Sequence, residues 1–381
     1  MKNNISDIKD QCSSCGACKY VCPTNAISFT LSALKQRIAV VDSVSCINCG
    51  KCVKVCPQKV QKLAQVKDCL AAWNNSGYDT SNSSSGGVIA VLSKKFIEGG
   101  GVVVGAKWDA KKRVVFEVVG TQEGLKVFQG SKYVESLIEK DVFEKIKACL
   151  QDKQPVLFIG LPCQVCAIKN IFNSDFLYCV DLVCHGTPPV EYLQEHLKKF
   201  NDKIDNITFR GKADFFLACY DKNNAIVYKE SQHCDLYFKA FLEGVTYKES
   251  CYSCVFAKQE RVGDITAGDF WGLDRETLQN NTYQGKVSLI LKNTSKGEYL
   301  LELIKQDCIF EKRLLEEAIK ENQQLSHPAL KSEDRIRFEK IYPKLGFQKA
   351  VKKLTIYQGI KKLRKAIFIT AILQYLRKFK D

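Results

Sequence analysis

Eight of the nineteen cysteines fall into two copies of one pattern. The stretch CSSCGACKYVCP places Cys12, Cys15, Cys18 and Cys22 before Pro23, and CINCGKCVKVCP places Cys46, Cys49, Cys52 and Cys56 before Pro57. Three thiolates two residues apart can wrap one 4Fe-4S cubane, and the fourth, just before proline, leaves toward the neighbouring cluster. The spacing therefore predicts one cluster on Cys12, Cys15, Cys18 and Cys56, and a second on Cys46, Cys49, Cys52 and Cys22. Gly16 and Gly50 lie inside the loops, where backbone amides must approach the sulfides closely. Zinc also takes C-x2-C pairs, but two identical quartets with a trailing proline favour cubanes.

Further cysteines stand at the ends of apolar runs. Cys163 follows PVLFIG (155–160) and Cys184 follows FLYCVDLV (176–183); both runs suit strands buried on two faces of a parallel sheet. Ligands bind outside the carboxyl ends of such strands, so neighbouring strands would turn Cys163 and Cys184 into one crevice. Cys251 and Cys254 form one more C-x2-C pair, and the four together suffice for a third cubane. Buried structural thiols are the competing reading. Cys166 lies three residues beyond Cys163, so the spacing leaves open which of them is the ligand. Cys69, Cys149, Cys179, Cys219, Cys234 and Cys308 lack ligand spacing and read as reduced, mostly buried thiols.

The elements that must position these residues are those of an α/β chain, α+β overall once the N-terminal module is included. Residues 74–86 are Ser- and Asn-rich and predict a linker or loop. Helices are expected over Val88–Glu98, over Asp141–Gln151 with Asp141 as its cap, and from Lys296 to about Gln306. Strands are expected at Val102–Ala106, Val114–Val119 and Val287–Lys292, with an antiparallel excursion over 212–230. The chain has 381 residues, 45% hydrophobic and 26% charged, which excludes disorder, collagen and a coiled coil. One methionine against nineteen cysteines, with no secretory apolar region after Met1-Lys2-Asn3-Asn4, points to metal binding in a reducing, cytoplasmic setting.

The first sixty residues resemble a bacterial two-cluster ferredoxin. GLPCQ (160–164), DLVCHGTP (181–188), ITFRGK (207–212) and CYSC…DITAGDFWG (251–272), with SSSGGV (83–88) and QGSKYVES (129–136), resemble the coenzyme F420 hydrogenase/dehydrogenase beta-subunit family. The resemblance implies a ferredoxin domain at 4–65 fused to a flavin-binding α/β domain. That domain would occupy 75–155 and 156–320, with the third cluster in its second part, and a helical basic tail would follow at 321–381. It implies FAD beside a 4Fe-4S cluster and favours Cys163, Cys184, Cys251 and Cys254 as ligands. The expected function is an FAD- and 4Fe-4S-dependent oxidoreductase passing electrons between a hydride carrier, F420-like or other, and a redox partner protein or small-molecule carrier. The alternative is a non-catalytic electron-transfer subunit feeding another enzyme, one of bacterial polysaccharide metabolism for example.

The FAD contacts are less marked. No G-x-G-x-x-G follows a strand and no Walker A run is present. Ser84, Ser85, Gly86 and Gly87 open a helix and could hold phosphate on backbone amides, or serve as an ordinary serine cap. Gly130, Ser131 and Lys132 offer a small residue, a hydroxyl and a cation. His185 could donate to flavin or cluster. Asp269, with Asp264 on the other side of Gly268, could orient ribose or a flavin edge, or simply cap a turn.

Of the net charge of +15, most lies between Lys344 and Asp381, which hold eleven Lys or Arg and one acid. The rest of the chain is unremarkable, so no nucleic-acid partner is expected. Lys361, Lys362, Arg364, Lys365, Arg377, Lys378 and Lys380 flank the apolar block Ala366–Leu376, too short to span a bilayer. Phe368, Ile372 and Leu376 at helical spacing suit peripheral contact with the anionic inner membrane face, or docking of a terminal helix on its own domain.

Overall fold

The two cysteine motifs fold alike. Ser14 and Gly16 take left-handed backbone conformations (φ 61° and 83°), and their counterparts Asn48 and Gly50 repeat them (φ 53° and 74°). Short helices then start at once, α1 (Ala17–Tyr20) and α2 (Lys51–Val55), and an antiparallel pair, β1 (Ile27–Leu31) and β2 (Arg37–Val41), joins the motifs. A Cβ on Gly16 would stand 2.9 Å from the carbonyl oxygen of Ile138, in the following domain. Gly16→Ala therefore meets both the left-handed penalty and a backbone clash. It is expected to cost roughly 1–2 kcal/mol or more in anaerobic denaturant unfolding, and an unchanged midpoint would refute the close approach.

The computed structural model describes residues 3–359 apart from 79, 81, 212–213 and 280–282. Nine strands form one mixed sheet. In chain order they are β3 (Asp68–Asn74), β4 (Val102–Trp108), β5 (Val114–Val119), β6 (Ser136–Leu137), β7 (Val156–Gly160) and β8 (Leu177–Leu182), then, after a separate small sheet, three more. That small antiparallel sheet comprises β9 (Asn206–Arg210), β10 (Phe215–Tyr220) and β11 (Ile226–Ser231). The main sheet resumes with β12 (Ile265–Asp269), β13 (Ser288–Lys292) and β14 (Cys308–Arg313), in the order β14-β3-β13-β12-β8-β7-β4-β5-β6. Strands β3, β12, β8, β7 and β4 run the same way, so their carboxyl ends share one edge.

The expected pair of parallel strands is real: β7 and β8 are neighbours in register from Val156↔Leu177 to Gly160↔Asp181. Val156, Leu157 and Phe158 are all fully buried, which is why the run shows no alternation. Helix α3 (Val88–Glu98) buries Val88, Val91, Leu92 and Phe96, one apolar face at helical spacing, on the sheet. Helix α4 (Lys140–Gln151) begins one residue before the expected boundary. Its N-cap is Glu139, so Asp141 is no cap; it lies in the first turn, 3.4 Å from Lys145. The chain leaves β6 only three residues earlier, which draws the helix start forward. The helix expected from Lys296 runs over Ser295–Glu302, capped by Thr294, whose hydroxyl accepts from Gly297 N.

Beyond Asn74, the last residue of β3, the described residues up to 86 form a loop, though a pinned one: Asn74 Nδ2 donates to the Tyr78 carbonyl at 2.7 Å and Gly86 N to Ser288 Oγ at 2.9 Å. The strand before that loop, β3, is the second strand of the main sheet, between β13 and the edge strand β14. Helix α5 (Pro162–Ile171) leaves β7 and packs on α1 and α2, with Ala17, Val55, Ala167 and Ile171 in one cluster. Tyr20 stacks on Phe143 at 4.7 Å beside it. Near the C-terminal end of the described chain, residues 347–359 are helical, and Phe347, Ala350, Val351 and Leu354 are buried in the core. Among the described residues no helix is long and apolar enough to cross a membrane. The basic segment beyond 359, on which the surface-anchor expectation rests, lies outside them.

Candidate functional site

No disulfide joins any of the nineteen cysteines. Cys12, Cys15, Cys18 and Cys56 stand close enough to perturb one another electrostatically, and burial pushes the Cys15 thiol up to about 12 and Cys18 further up. Such thiols are protonated at neutral pH, so iron must displace their protons on binding. Cys22, Cys46, Cys49 and Cys52 surround one small cavity with Asn48 and Gly50. Asn4 Nδ2 closes its rim, 3.6 Å from Cys46 Sγ and 3.0 Å from Asn48 Oδ1. The fold thus sets the fourth cysteine of each motif beside the first three of the other.

A third quartet meets at the carboxyl edge of the sheet. Cys163, in the first turn of α5, Cys184, two residues beyond β8, and Cys251 and Cys254 all line one cavity with Ser13, His185 and Lys248. Burial is the main reason that Cys163 and Cys254 rise and that Cys184 is pushed up to about 12. Cys166 does not line the cavity. Its thiol donates to the Val60 carbonyl at 3.2 Å, beside Asn170 Nδ2 at 2.9 Å from the same oxygen.

No group of three His, Cys, Asp or Glu side chains among the described residues converges tightly enough for a single ion.

Residues that the sequence motifs did not single out hold this quartet in place. Gln164 closes the turn into α5: its Oε1 accepts from Leu161 N at 3.0 Å, and its Nε2 donates to Ser136 Oγ at 2.9 Å. Arg261 is buried; it donates to Asp181 Oδ2 at 2.6 Å and to the Phe256 and Lys258 carbonyls at 3.2 Å each. It thereby ties the Cys251–Arg261 loop to β8. A GLPCQ motif could have pointed to Gln164; nothing local in the sequence marks Arg261.

Candidate flavin residues gather along the same edge. Ser131 Oγ donates to Ser84 Oγ at 2.7 Å, which joins two loops 47 positions apart in the chain. Ser85 Oγ reaches the Val287 carbonyl at 3.1 Å. Gly87 (φ 82°) is the N-cap of α3 and carries no side-chain cap bond, whereas Gly86 is packed against Ala72 and Lys286 backbone. Gly130 (φ 77°) has open space where a Cβ would be.

Lys132 Nζ donates to the Phe128, Gln129 and Gly130 carbonyls at 3.1–3.2 Å, and burial pushes it down to about 8. Among the described residues no carboxylate pairs with it; its three N–H donors are taken by these carbonyls. Asp269, at the end of β12, accepts from Arg210 Nη1 at 2.8 Å, and Tyr133 feels both charges. His185, held below its ordinary range by its burial, also feels Asp269 while lining the cysteine cavity. It therefore stands between the two groups.

Asp264 does not belong with Asp269. It sits at the opposite, amino end of β12, where Cys179 N donates to it at 2.8 Å and Thr294 Oγ1 at 2.9 Å, because one five-residue strand separates the two carboxylates. Of the six cysteines without ligand spacing, Cys69, Cys179, Cys219 and Cys308 are buried, Cys149 is partly so and Cys234 is exposed.

Residues 153–318 match the family described as the C terminus of the coenzyme F420 hydrogenase/dehydrogenase beta subunit, and residues 11–60 match the 4Fe-4S dicluster domain. No curated protein matches the chain. Among solved structures, a chain of the F420-reducing NiFe hydrogenase complex from Methanosarcina barkeri is similar at 15% identity and a TM-score of 0.47, covering 70% of this chain and 93% of that one.

Proposed function

We propose that this chain, which joins a 4Fe-4S dicluster domain to the C-terminal region of F420 hydrogenase/dehydrogenase beta subunits, is an iron–sulfur flavoprotein oxidoreductase. It passes electrons between a two-electron hydride carrier and a one-electron partner. The two domain matches support an iron–sulfur electron-transfer protein related to that oxidoreductase family. A flavin between hydride carrier and clusters is supported by one row of neighbouring groups along the molecule. The Ser84–Ser131–Lys132 and Arg210–Asp269 groups neighbour His185; His185 lines the third cysteine cavity; and Ser13, between Cys12 and Cys15 of the first quartet, lines it too.

FAD, when bound, exchanges two electrons with a hydride donor and single electrons with a cluster. The residues present suit it: backbone amides at the uncapped start of α3 fit an anionic diphosphate, and the Lys132 ammonium would meet one by exchanging a carbonyl partner for a phosphate oxygen. Arg210 and Asp269 offer a donor and an acceptor to a heterocycle edge. The second quartet reaches the surface, where Cys49 is exposed and Val44 and Ile47 are 92% and 64% exposed, which suits hand-over to a partner.

Two measurements test the reading. Anaerobic protein offered NADH, NADPH and reduced F420 in turn, with a dye acceptor, should turn over with one of them. Failure with all three, alongside normal reduction of its clusters by a protein donor, would favour an electron-transfer subunit without its own substrate. Denatured protein should release FAD, and Lys132→Met should weaken FAD retention by roughly ten- to a hundredfold, the worth of about 1.5–3 kcal/mol for a charged hydrogen bond. Full retention in that variant removes Lys132 from the site and leaves the cofactor to be decided by the released chromophore.

A further inference from the structure

Lys248 lies where three parts of the molecule meet. Its backbone N–H donates to the Thr187 carbonyl at 3.0 Å, in the loop that carries Cys184, and its own carbonyl accepts from Cys251 N at 2.9 Å. Its side chain, 8% exposed, crosses to the first cysteine motif and donates from Nζ to the Ser13 carbonyl at 2.9 Å, between Cys12 and Cys15. Both Ser13 and Lys248 line the cavity of Cys163, Cys184, Cys251 and Cys254. The Glu135 carboxylate stands 3.6 Å from the ammonium; it is buried, and its Oε2 makes no hydrogen bond among the described residues.

A lysine in such a place loses hydration. Glu135, 3.6 Å from Nζ, is the buried anion that pairs with it there. One cation is therefore shared between two cysteine quartets from different domains, with one carboxylate beside it as a partial counterweight.

We propose that Lys248 is the positioning residue of the junction between the third cysteine cavity and the first ferredoxin quartet, and that its charge raises the reduction potential on both sides. The proposal rests on the reading of that cavity as a third 4Fe-4S site. Reduction of a cubane adds one electron and one unit of negative charge, with the protein supplying no atom. A fixed buried cation within a few ångströms stabilises that charge, because the low-dielectric interior screens it poorly. The bond to Ser13 also holds the Cys12–Cys15 loop against the cavity, so distance and driving force between the clusters depend on one side chain. The second quartet, whose cavity Lys248 does not line, should be indifferent to it.

The test is a mediated titration of the full chain with dithionite, followed by electron paramagnetic resonance. Cys254→Ser serves to assign the third-cluster signal. Lys248→Met is expected to lower the midpoints of the third and first clusters and leave the second in place. Glu135→Gln, which removes the opposing charge, should move the same two upward, and Lys248→Arg should keep them near the parent values. Unchanged midpoints in both charge-removing variants at full iron content, or shifts of the same sign, would overturn the proposal. If Lys248→Met loses iron, the sign of the Glu135→Gln shift decides. If the parent protein holds only about eight irons, the third site is absent; the response of the first cluster, which Lys248 faces through Ser13, then decides the role of Lys248 by itself.

Discussion

Anaerobically purified protein is expected to hold about twelve irons per chain, and Cys251→Ser or Cys254→Ser about eight, with the signals of the ferredoxin pair intact. Cys163→Ser and Cys184→Ser should behave the same way, because all four side chains line one cavity. Cys166→Ser is the control: its thiol is committed to the Val60 carbonyl, and iron should stay near twelve. Chemical iron determination with absorption and paramagnetic resonance spectra reads all five variants. About eight irons in the parent would remove the third cluster, and loss of iron in Cys166→Ser would move the ligand from Cys163 to its neighbour.

Arg261→Met should lose roughly 3–5 kcal/mol of stability, since it leaves Asp181 as an uncompensated buried charge. Asp181 is fully buried, and its second oxygen accepts from Thr266 Oγ1 at 2.5 Å, a hydroxyl that also accepts from Asn293 Nδ2 at 3.1 Å. Removing the guanidinium also releases the Phe256 and Lys258 carbonyls, so the loop carrying Cys251 and Cys254 should loosen and third-cluster iron should fall with stability. Denaturant unfolding and iron content, measured together, check both effects. The double variant Arg261→Met with Asp181→Asn should recover much of the lost stability, because no buried charge then lacks a partner. Additive losses instead would mean that the pair is not coupled as its geometry implies.

Much of the architecture was legible because its causes are local. Helix α3 announced itself through Val88, Val91, Leu92 and Phe96, β7 through an unbroken apolar run and β8 through one interrupted by Asp181. Strand β3 did not. Its sequence, DCLAAWN, is poor in β-branched residues and alternates weakly, and it becomes a strand because β13 and β14 pair with it on both sides. The flavin candidates were legible one at a time as small, polar or charged residues in loops. That Ser84 meets Ser131, or that Asp264 and Asp269 part company, depends on strand order and strand length.

The two ferredoxin quartets were determined by the sequence itself, since three ligands within seven residues form a chelating loop whatever the rest of the chain does. The third quartet was decided by tertiary structure. Cys163 and Cys184 meet because β7 and β8 are neighbours, and Cys251 and Cys254 arrive because Arg261 anchors their loop to Asp181. Spacing could not separate Cys163 from Cys166, which share a helix face. The fold does so because three residues carry Cys166 about 4.5 Å along the α5 axis, out of the cavity and onto Val60. Lys248 follows the same logic: an unremarkable lysine in YKESC acquires its setting only when Ser13, 235 positions away in the chain, is folded against it.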